Sequence, residues 1–243
     1  MNGVITAGGP IDGEYAELAG TTLKALAPVR GLSMIERTIG AMRACGVAKI
    51  AVVGNEEVAR ACGARVEKIV PDAGSGTRNV LAALAAWDAN EPLLYLTCDM
   101  PYVEAEPLQR FLNATAPGVL AMPLTEYEDF ARRFPGAPPF GITLGGERVV
   151  NGGVFHIPAG AARAIEDFAT RLFEARKAPW RMAAIAGPAL LAKFALGRLT
   201  ISELEARAAS VLSMPVQAVR GAAAELAFDA DTADEYRYAL AHD

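Results

Sequence analysis

Histidine and cysteine are scarce in this chain, with two of the first and three of the second among 243 residues. His156 and His242 are far apart, so neither a Ser-His-Asp hydrolase nor a histidine-rich zinc site is supported. Cys45, Cys62 and Cys98 are odd in number and lack CxxC spacing, which reads as reduced, mostly buried thiols in a cytoplasmic protein. Positive charge is also short. The net charge is −5 and no Lys/Arg run exceeds two residues, which argues against nucleic acid or an anionic membrane as partner. The longest apolar stretch, Met182 to Leu196, is broken by Gly187-Pro188 and Lys193 and is too short to span a bilayer. No basic segment precedes the first strand, so no signal peptide is expected. There is no GxGxxG and no GK[ST], which leaves out the dinucleotide fingerprint and the P-loop and ranks a Rossmann-type oxidoreductase last.

Hydrophobic residues make up 52% of the chain, enough for a sizeable core. Short apolar runs alternate with helical periodicity. Strands are expected at Gly3–Ala7, Lys49–Val53, Val66–Val70, Leu93–Leu96 and Val119–Met122. Between them lie a Gly/Ala-rich loop from Gly8 to Lys24, a helix capped by Ser33, a short helix capped by Asn55, and helices at Thr77–Trp87 and Glu104–Asn113. Near-continuous apolar strands in this cadence imply an α/β fold with a Rossmann-like, mostly parallel sheet covered by helices on both faces. After Leu124 the pattern changes. Phe140–Leu144 and Glu147–Val150 flank a Gly145-Gly146 hairpin turn, and Val154–Ile157 follows as a strand. A helical elaboration is read over 160–214, with a capping box at Ser202-x-x-Glu205. Its apolar 180–214 part could supply a homo-oligomer interface. A strand is expected at Ala224–Phe228, and a second capping box, Thr232-x-x-Glu235, opens a last helix.

Three features carry chemistry. Thr6-Ala7-Gly8-Gly9-Pro10 follows the first strand, where glycines let a backbone approach phosphate oxygens. Lys24, a lone lysine before an apolar stretch, suits a point charge over phosphates. In Leu96-Thr97-Cys98-Asp99-Met100-Pro101 a buried strand runs into one carboxylate at its carboxyl end, where open α/β sheets bind ligands. Asp99 there is a metal ligand, a general base or a helix cap.

The order of these motifs resembles the MobA-like nucleotidyltransferases, the NTP transferases related to molybdenum cofactor guanylyltransferase and to N-acetylglucosamine-1-phosphate uridylyltransferase. The resemblance covers residues 3–157 and returns at 226–240. It implies the nucleotide-diphospho-sugar transferase type of fold, with a single domain over 1–243. That domain divides into a nucleotide-binding and acceptor core (1–157), the helical elaboration (158–223) and a closing strand and helix (224–243). It also implies a Mg²⁺-dependent (or Mn²⁺-dependent) transfer of NMP from an NTP to a small phosphorylated acceptor, with pyrophosphate released. By the same resemblance Asp99 is the metal aspartate, Ala7, Gly8 and Gly9 wrap the nucleotide, Lys24 contacts its phosphates and Gly76-Thr77 touches the base. Gly141 (with Phe140) and Asn151-Gly152-Gly153 match segments that line the acceptor side. Phe228 to Tyr236, FDADTADEY, matches the closing segment that completes the metal site, with Asp229 the preferred second ligand and Asp231 a turn or cap residue. One departure stands out. The family's first loop carries an arginine facing the triphosphate, whereas Pro10–Thr22 has no arginine or lysine and holds Asp12, Glu14 and Glu17. Triphosphate neutralisation then falls to the metal and Lys24, unless Arg30 or Arg78 swings in. A non-catalytic NTP- or nucleotide-sugar-binding regulatory module is the alternative this departure motivates.

Overall fold

Strand β1 (Asn2–Thr6) is buried between two parallel neighbours, β4 (Lys49–Gly54) and β6 (Leu93–Thr97). The computed structural model describes residues 1–138, 140–175, 185 and 187–242, with only the backbone of 172–175. Side chains of the central strands alternate between two apolar layers. Ile5, Ile50, Val52, Leu94 and Leu96 pack with Ile35, Ile39, Met42, Val58, Leu108 and Phe111. Those partners come from helices α2 (Met34–Ala44), α3 (Glu56–Cys62) and α5 (Ala105–Ala114). On the opposite face Val4, Ala51, Val53, Leu93 and Tyr95 meet Ala83, Leu84 and Ile165 of α4 (Gly76–Leu84) and α7 (Ala162–Ala175). A strand apolar on both faces is what burial under two helical layers requires.

From β1 the chain runs outward through β4 to β5 (Lys68–Pro71), then crosses back to place β6 on the other side of β1. The sheet is completed by β10 (Val154–Ile157), β7 (Leu120–Glu126), β9 (Glu147–Val150) and β8 (Ile142–Leu144), with β11 (Val216–Arg220) also paired to β7. Strands β10, β9 and β8 are antiparallel to their neighbours, so the nine-stranded sheet is mixed but mostly parallel. The strand order reverses between β1 and β6, and an open sheet splits into a crevice above their carboxyl ends at such a point. The expected hairpin at Gly145-Gly146 is the β8–β9 pair, while β2 (Pro28–Val29) and β3 (Leu32–Ser33) form a separate antiparallel pair.

Three local expectations need correction. Gly8–Lys24 is not all loop, because α1 (Gly13–Ala19) forms inside it, with Tyr15 and Ala19 buried one turn apart and Gly20 ending it at φ +65°. The capping box lies two residues earlier than Ser202-x-x-Glu205. Thr200 and Glu203 cap the helix Ile201–Leu212, while Glu205 accepts the Ala218 N–H at 2.7 Å. Ala224–Phe228 is not a strand, since its Ala224–Leu226 part is a 3₁₀ turn. Of the alternating apolar residues there, Ala224 and Phe228 enter an aromatic cluster and Leu226 the sheet core, and the place beside β7 is taken by β11, paired in parallel. The helical reading of 160–214 and the 180–214 interface include residues 176–184 and 186, which lie outside the described residues. Helices are found at Pro188–Ala195 (α8) and Ile201–Leu212 (α9). No helix among the described residues is long and apolar enough to cross a membrane.

The expected caps at Ser33 and Asn55 are present. At Ser33 the box is reciprocal, and Glu36 also takes an ion pair from Arg65 at 2.8 Å. Hydrogen bonds from the Ser33 hydroxyl and N–H, then from Arg65, lower the Glu36 carboxyl to a pKa of about 2 from 4.5. Because the folded pKa is depressed, this stabilisation is complete above pH 4.5 and is lost as pH falls toward about 2. Glu36→Gln is therefore expected to flatten the acid limb of the melting-temperature profile over that interval, as measured by circular dichroism.

Candidate active site

The crevice at the β1/β6 reversal is a cleft of about 660 Å³. One wall is the turn after β1. The Ala7 N–H donates to the Val53 carbonyl at 2.8 Å, and Gly8 passes so near the opposite wall that a Cβ would lie 2.4 Å from Asn79 Nδ2. Glycine is required at this position by close approach. Asn79 is buried on α4 and accepts the Ala73 N–H through Oδ1 at 2.8 Å. Asp72 accepts the Gly74 N–H at 2.8 Å. These side-chain turns hold the 72–76 loop against the cleft. Gly76 lines it, whereas Thr77 lies outside the lining.

Lys24 reaches the same place from fifteen residues downstream of Gly9. The excursion closes on itself: Ile11 N–H donates to the Thr22 carbonyl at 2.9 Å, and Lys24 N–H to the Gly9 carbonyl at 3.0 Å. Its ammonium lies 3.2 Å from Asp99 Oδ2 and 2.6 Å from Asp231 Oδ1. The Lys24 and Asp99 side chains are only 13% and 16% exposed, against 66% for Asp231. Burial works to lower the Lys24 pKa, but the charge of Asp99 and the hydrogen bond and charge of Asp231 outweigh it, and the pKa is raised.

Asp99 follows β6, where the Cys98 N–H donates to the Thr6 carbonyl at 3.1 Å. Asp229 arrives from the C-terminal segment. Burial, then the charges of Asp99 and Asp231, push its pKa well above the usual carboxylate range, against a hydrogen bond from the Gly153 N–H. One oxygen of each, Asp99 Oδ1 and Asp229 Oδ1, is buried with no hydrogen-bond partner among the described residues. The neighbouring Gly153 accepts the Thr97 N–H at 2.9 Å. A Cβ on Gly153 would fall 2.0 Å from Thr97 Oγ1, and one on Gly152 would fall 2.3 Å from the Leu226 carbonyl oxygen.

The cleft lining thus brings together Gly8, Gly9, Lys24, Gly76 and Asp99, with Ala7 fully buried behind it and Asp229, also outside the lining, near enough to Asp99 to feel its charge. The structure does not bring Gly141, Asn151 or Gly152 into the cleft lining. Gly141, at φ +124°, packs on the Val149 carbonyl, and Gly152 is buried against Leu226. Asn151 lines a separate apolar cavity of about 290 Å³ beside Leu124 and Val149. Asn79, Asp72 and the Thr6–Tyr95 hydroxyl pair (2.8 Å) were not singled out in the sequence. An asparagine one turn into α4, behind the Ser75 cap, is the one signal that could have found Asn79.

The family model for the MobA-like NTP transferase domain matches residues 3–166. The chain belongs to that family. It is a nucleotidyltransferase. Its fold is similar to a hypothetical transferase structure from Thermus thermophilus, with a TM-score of 0.82 and 27% identity over 96% of this chain and 99% of that one. A nucleotidyl transferase from Methanothermobacter shares the fold at a TM-score of 0.58 and 17% identity, over 99% and 96% of the two chains. The Mycobacterium tuberculosis protein Rv0371c, solved in complex with manganese, does so at 0.54 and 18%, over 100% and 98%. No curated protein matches the chain by sequence.

MobA-like NTP transferases are generally dependent on a divalent metal. The residues present fit one. Among the described residues no group of three or more His, Cys, Asp or Glu could hold a metal ion. Mg²⁺, however, keeps several waters and takes only one or two carboxylates beside substrate phosphates. Two buried carboxylate oxygens lacking partners, on residues whose charges oppose each other, supply that set. Of the other two cations, Arg30 donates to the His242 carbonyl at 3.0 Å and lies over the Tyr102 ring. Arg78 is exposed on α4, whose cleft-lining residues are Gly76, Asn79 and Val80. Gly8→Ala is expected to cost about 1–3 kcal/mol through overpacking against Asn79 and to weaken NTP binding at least about tenfold, which a difference of about 1.4 kcal/mol suffices to produce. Thermal unfolding and calorimetric titration check the two parts.

Proposed function

We propose that this nucleotidyltransferase moves an NMP from an NTP to a small phosphorylated acceptor, a sugar 1-phosphate or a molybdopterin-like cofactor precursor. An acceptor phosphate oxygen attacks the α-phosphorus in line, the α–β bridging P–O bond breaks, and pyrophosphate leaves. The observation that carries this reading is the cluster at the strand-order reversal, in which one buried lysine bridges two carboxylates and two further carboxylate oxygens lack partners.

Asp99 and Asp229 would hold Mg²⁺ or Mn²⁺, which when bound neutralises charge on the reacting phosphates. Lys24 turns its ammonium from the carboxylates toward the nucleotide phosphates, which opposes the repulsion between like-charged reactants. Ala7, Gly8 and Gly9 present backbone at close range to the nucleotide, and Gly76 and Thr77 stand at the base side. Gly141, Asn151 and Gly152 act on the acceptor side by shaping its wall: Gly152 packs on Leu226, and Gly153 keeps Asp229 in place through its N–H. A phosphate acceptor is already an anion, so no general base is needed. With three buried free thiols, the chain suits the reducing cytoplasm.

A thermal-shift screen of the four NTPs with Mg²⁺, followed by pyrophosphate release against a panel of sugar phosphates, identifies the substrates, because a ligand that binds only the native state raises apparent stability. Asp99→Asn is expected to abolish pyrophosphate release with the melting temperature retained, and full turnover by that variant would refute the metal role. For Lys24→Ala the expectation is a rise in KM for NTP or a fall in kcat of at least about tenfold, the loss of one charge-assisted contact to phosphate. NTP binding without pyrophosphate from any acceptor would instead support the non-catalytic module.

A further inference from the structure

The loop that lacks the family's arginine has a different occupant. Its helix α1 buries Tyr15 to 5% exposure. The Tyr15 ring stacks on Tyr236 of the last helix, α10 (Ala233–Ala241), with centroids 4.8 Å apart and planes 24° from parallel. An ion pair between Glu14 and Arg237 ties the same two helices on the surface. The Tyr15 hydroxyl donates to the carbonyl of Ala230 at 2.9 Å.

Ala230 is the residue between Asp229 and Asp231. Its N–H donates to the Asp99 carbonyl at 2.8 Å. The next peptide plane, Ala230 to Asp231, is held at both ends, its carbonyl by Tyr15 and its N–H by Glu235 Oε2 at 2.9 Å. The Asp229–Ala230 plane is thus held through the Ala230 N–H and the Ala230–Asp231 plane at both ends, so the backbone between Asp229 and Asp231 is fixed on both sides of Ala230, and with it the directions of the two carboxylates. One of those carboxylates has a buried oxygen without a partner, and the other grips Lys24. Ala230 carries no side chain that could do this work, so the hold must come from outside the segment.

We infer that Tyr15 is a positioning residue for the metal and phosphate site, holding Asp229 and Asp231 in place through the Ala230 carbonyl. The first loop thus contributes to the site by orienting its carboxylates, in place of offering a cation to the triphosphate. This inference rests on the preceding reading of Asp99 and Asp229 as metal ligands.

The test uses Mn²⁺ alone, titrated into nucleotide-free full-length protein and followed by the loss of free-ion electron paramagnetic resonance. Tyr15→Phe keeps the ring stack and removes the hydroxyl. Its Mn²⁺ affinity is expected to fall by about threefold to tenfold, at or below the low end of the range for outer partners of metal ligands because it acts through backbone. Tyr238→Phe is the control. It removes a hydroxyl that donates to the Pro135 carbonyl at 3.1 Å, in the same aromatic cluster but away from the carboxylates. Its melting temperature should fall comparably, with wild-type Mn²⁺ affinity. If Tyr15→Phe does not fold, Glu235→Ala, which slackens the other end of the same peptide plane, carries the same expectation. Wild-type affinity in Tyr15→Phe, or equal weakening in Tyr238→Phe, overturns the inference alone. Wild-type protein that takes up no Mn²⁺ overturns the metal reading, and this inference with it.

Discussion

Two carboxylates that share a buried site repel each other, and the neighbourhood must answer that repulsion. Burial holds up the pKa of Asp229, and Asp99 is close enough for its charge to add to the shift. An isolated buried charge is far more costly than a paired one. Lys24 answers part of the charge, and in the function proposed above a divalent ion answers the rest at the two partnerless oxygens. Much of the surrounding construction serves to bring these groups together and keep them there.

Three unrelated stretches converge. Asp99 is carried by β6, the strand placed across the order reversal from β1, and both strands are locked in a buried parallel register. Lys24 is delivered by an excursion whose ends are hydrogen-bonded together at Gly9. Asp229 follows Phe228, which is fully buried and meets Tyr102 and Phe134 edge-on at 4.9 and 5.0 Å. That aromatic cluster also takes in Tyr15, Phe130, Tyr236 and Tyr238, so α1, α6 (Tyr127–Arg133) and α10 share a core separate from the two layers of the sheet. Site and aromatic cluster are coupled through one residue step, Phe228 to Asp229.

Much of the sheet was legible because its strands are apolar on both faces and its helices begin at side-chain caps. Ser33, Asn55 and Thr232 all cap as their spacing suggests. Asp99, Lys24 and the Ala7-Gly8-Gly9 turn could be picked out because each lies next to a strand end or an apolar stretch. Elsewhere local pattern and tertiary use differ. Ala224, Leu226 and Phe228 alternate like a strand, yet Ala224 and Phe228 enter the aromatic core and Leu226 the core of the sheet, and β11 supplies the strand beside β7. The small residues of the first loop hid α1, whose stability comes from packing Tyr15 on Tyr236.

Fold class and family follow from strand periodicity, caps and motif order, which are local properties of the chain. The sequence also carries the absence of an arginine in the first loop, together with Asp12, Glu14 and Glu17 there. What that loop packs against is set by contacts distant in sequence. Stacking on α10 and a hydrogen bond to Ala230 join residues more than two hundred positions apart, and no local pattern encodes such a contact. The Gly152-Gly153 pair was likewise decided by the fold. Read alone it is a turn or an acceptor contact, but in place it lets Thr97 and Leu226 approach where no Cβ fits, and it offers an N–H to Asp229.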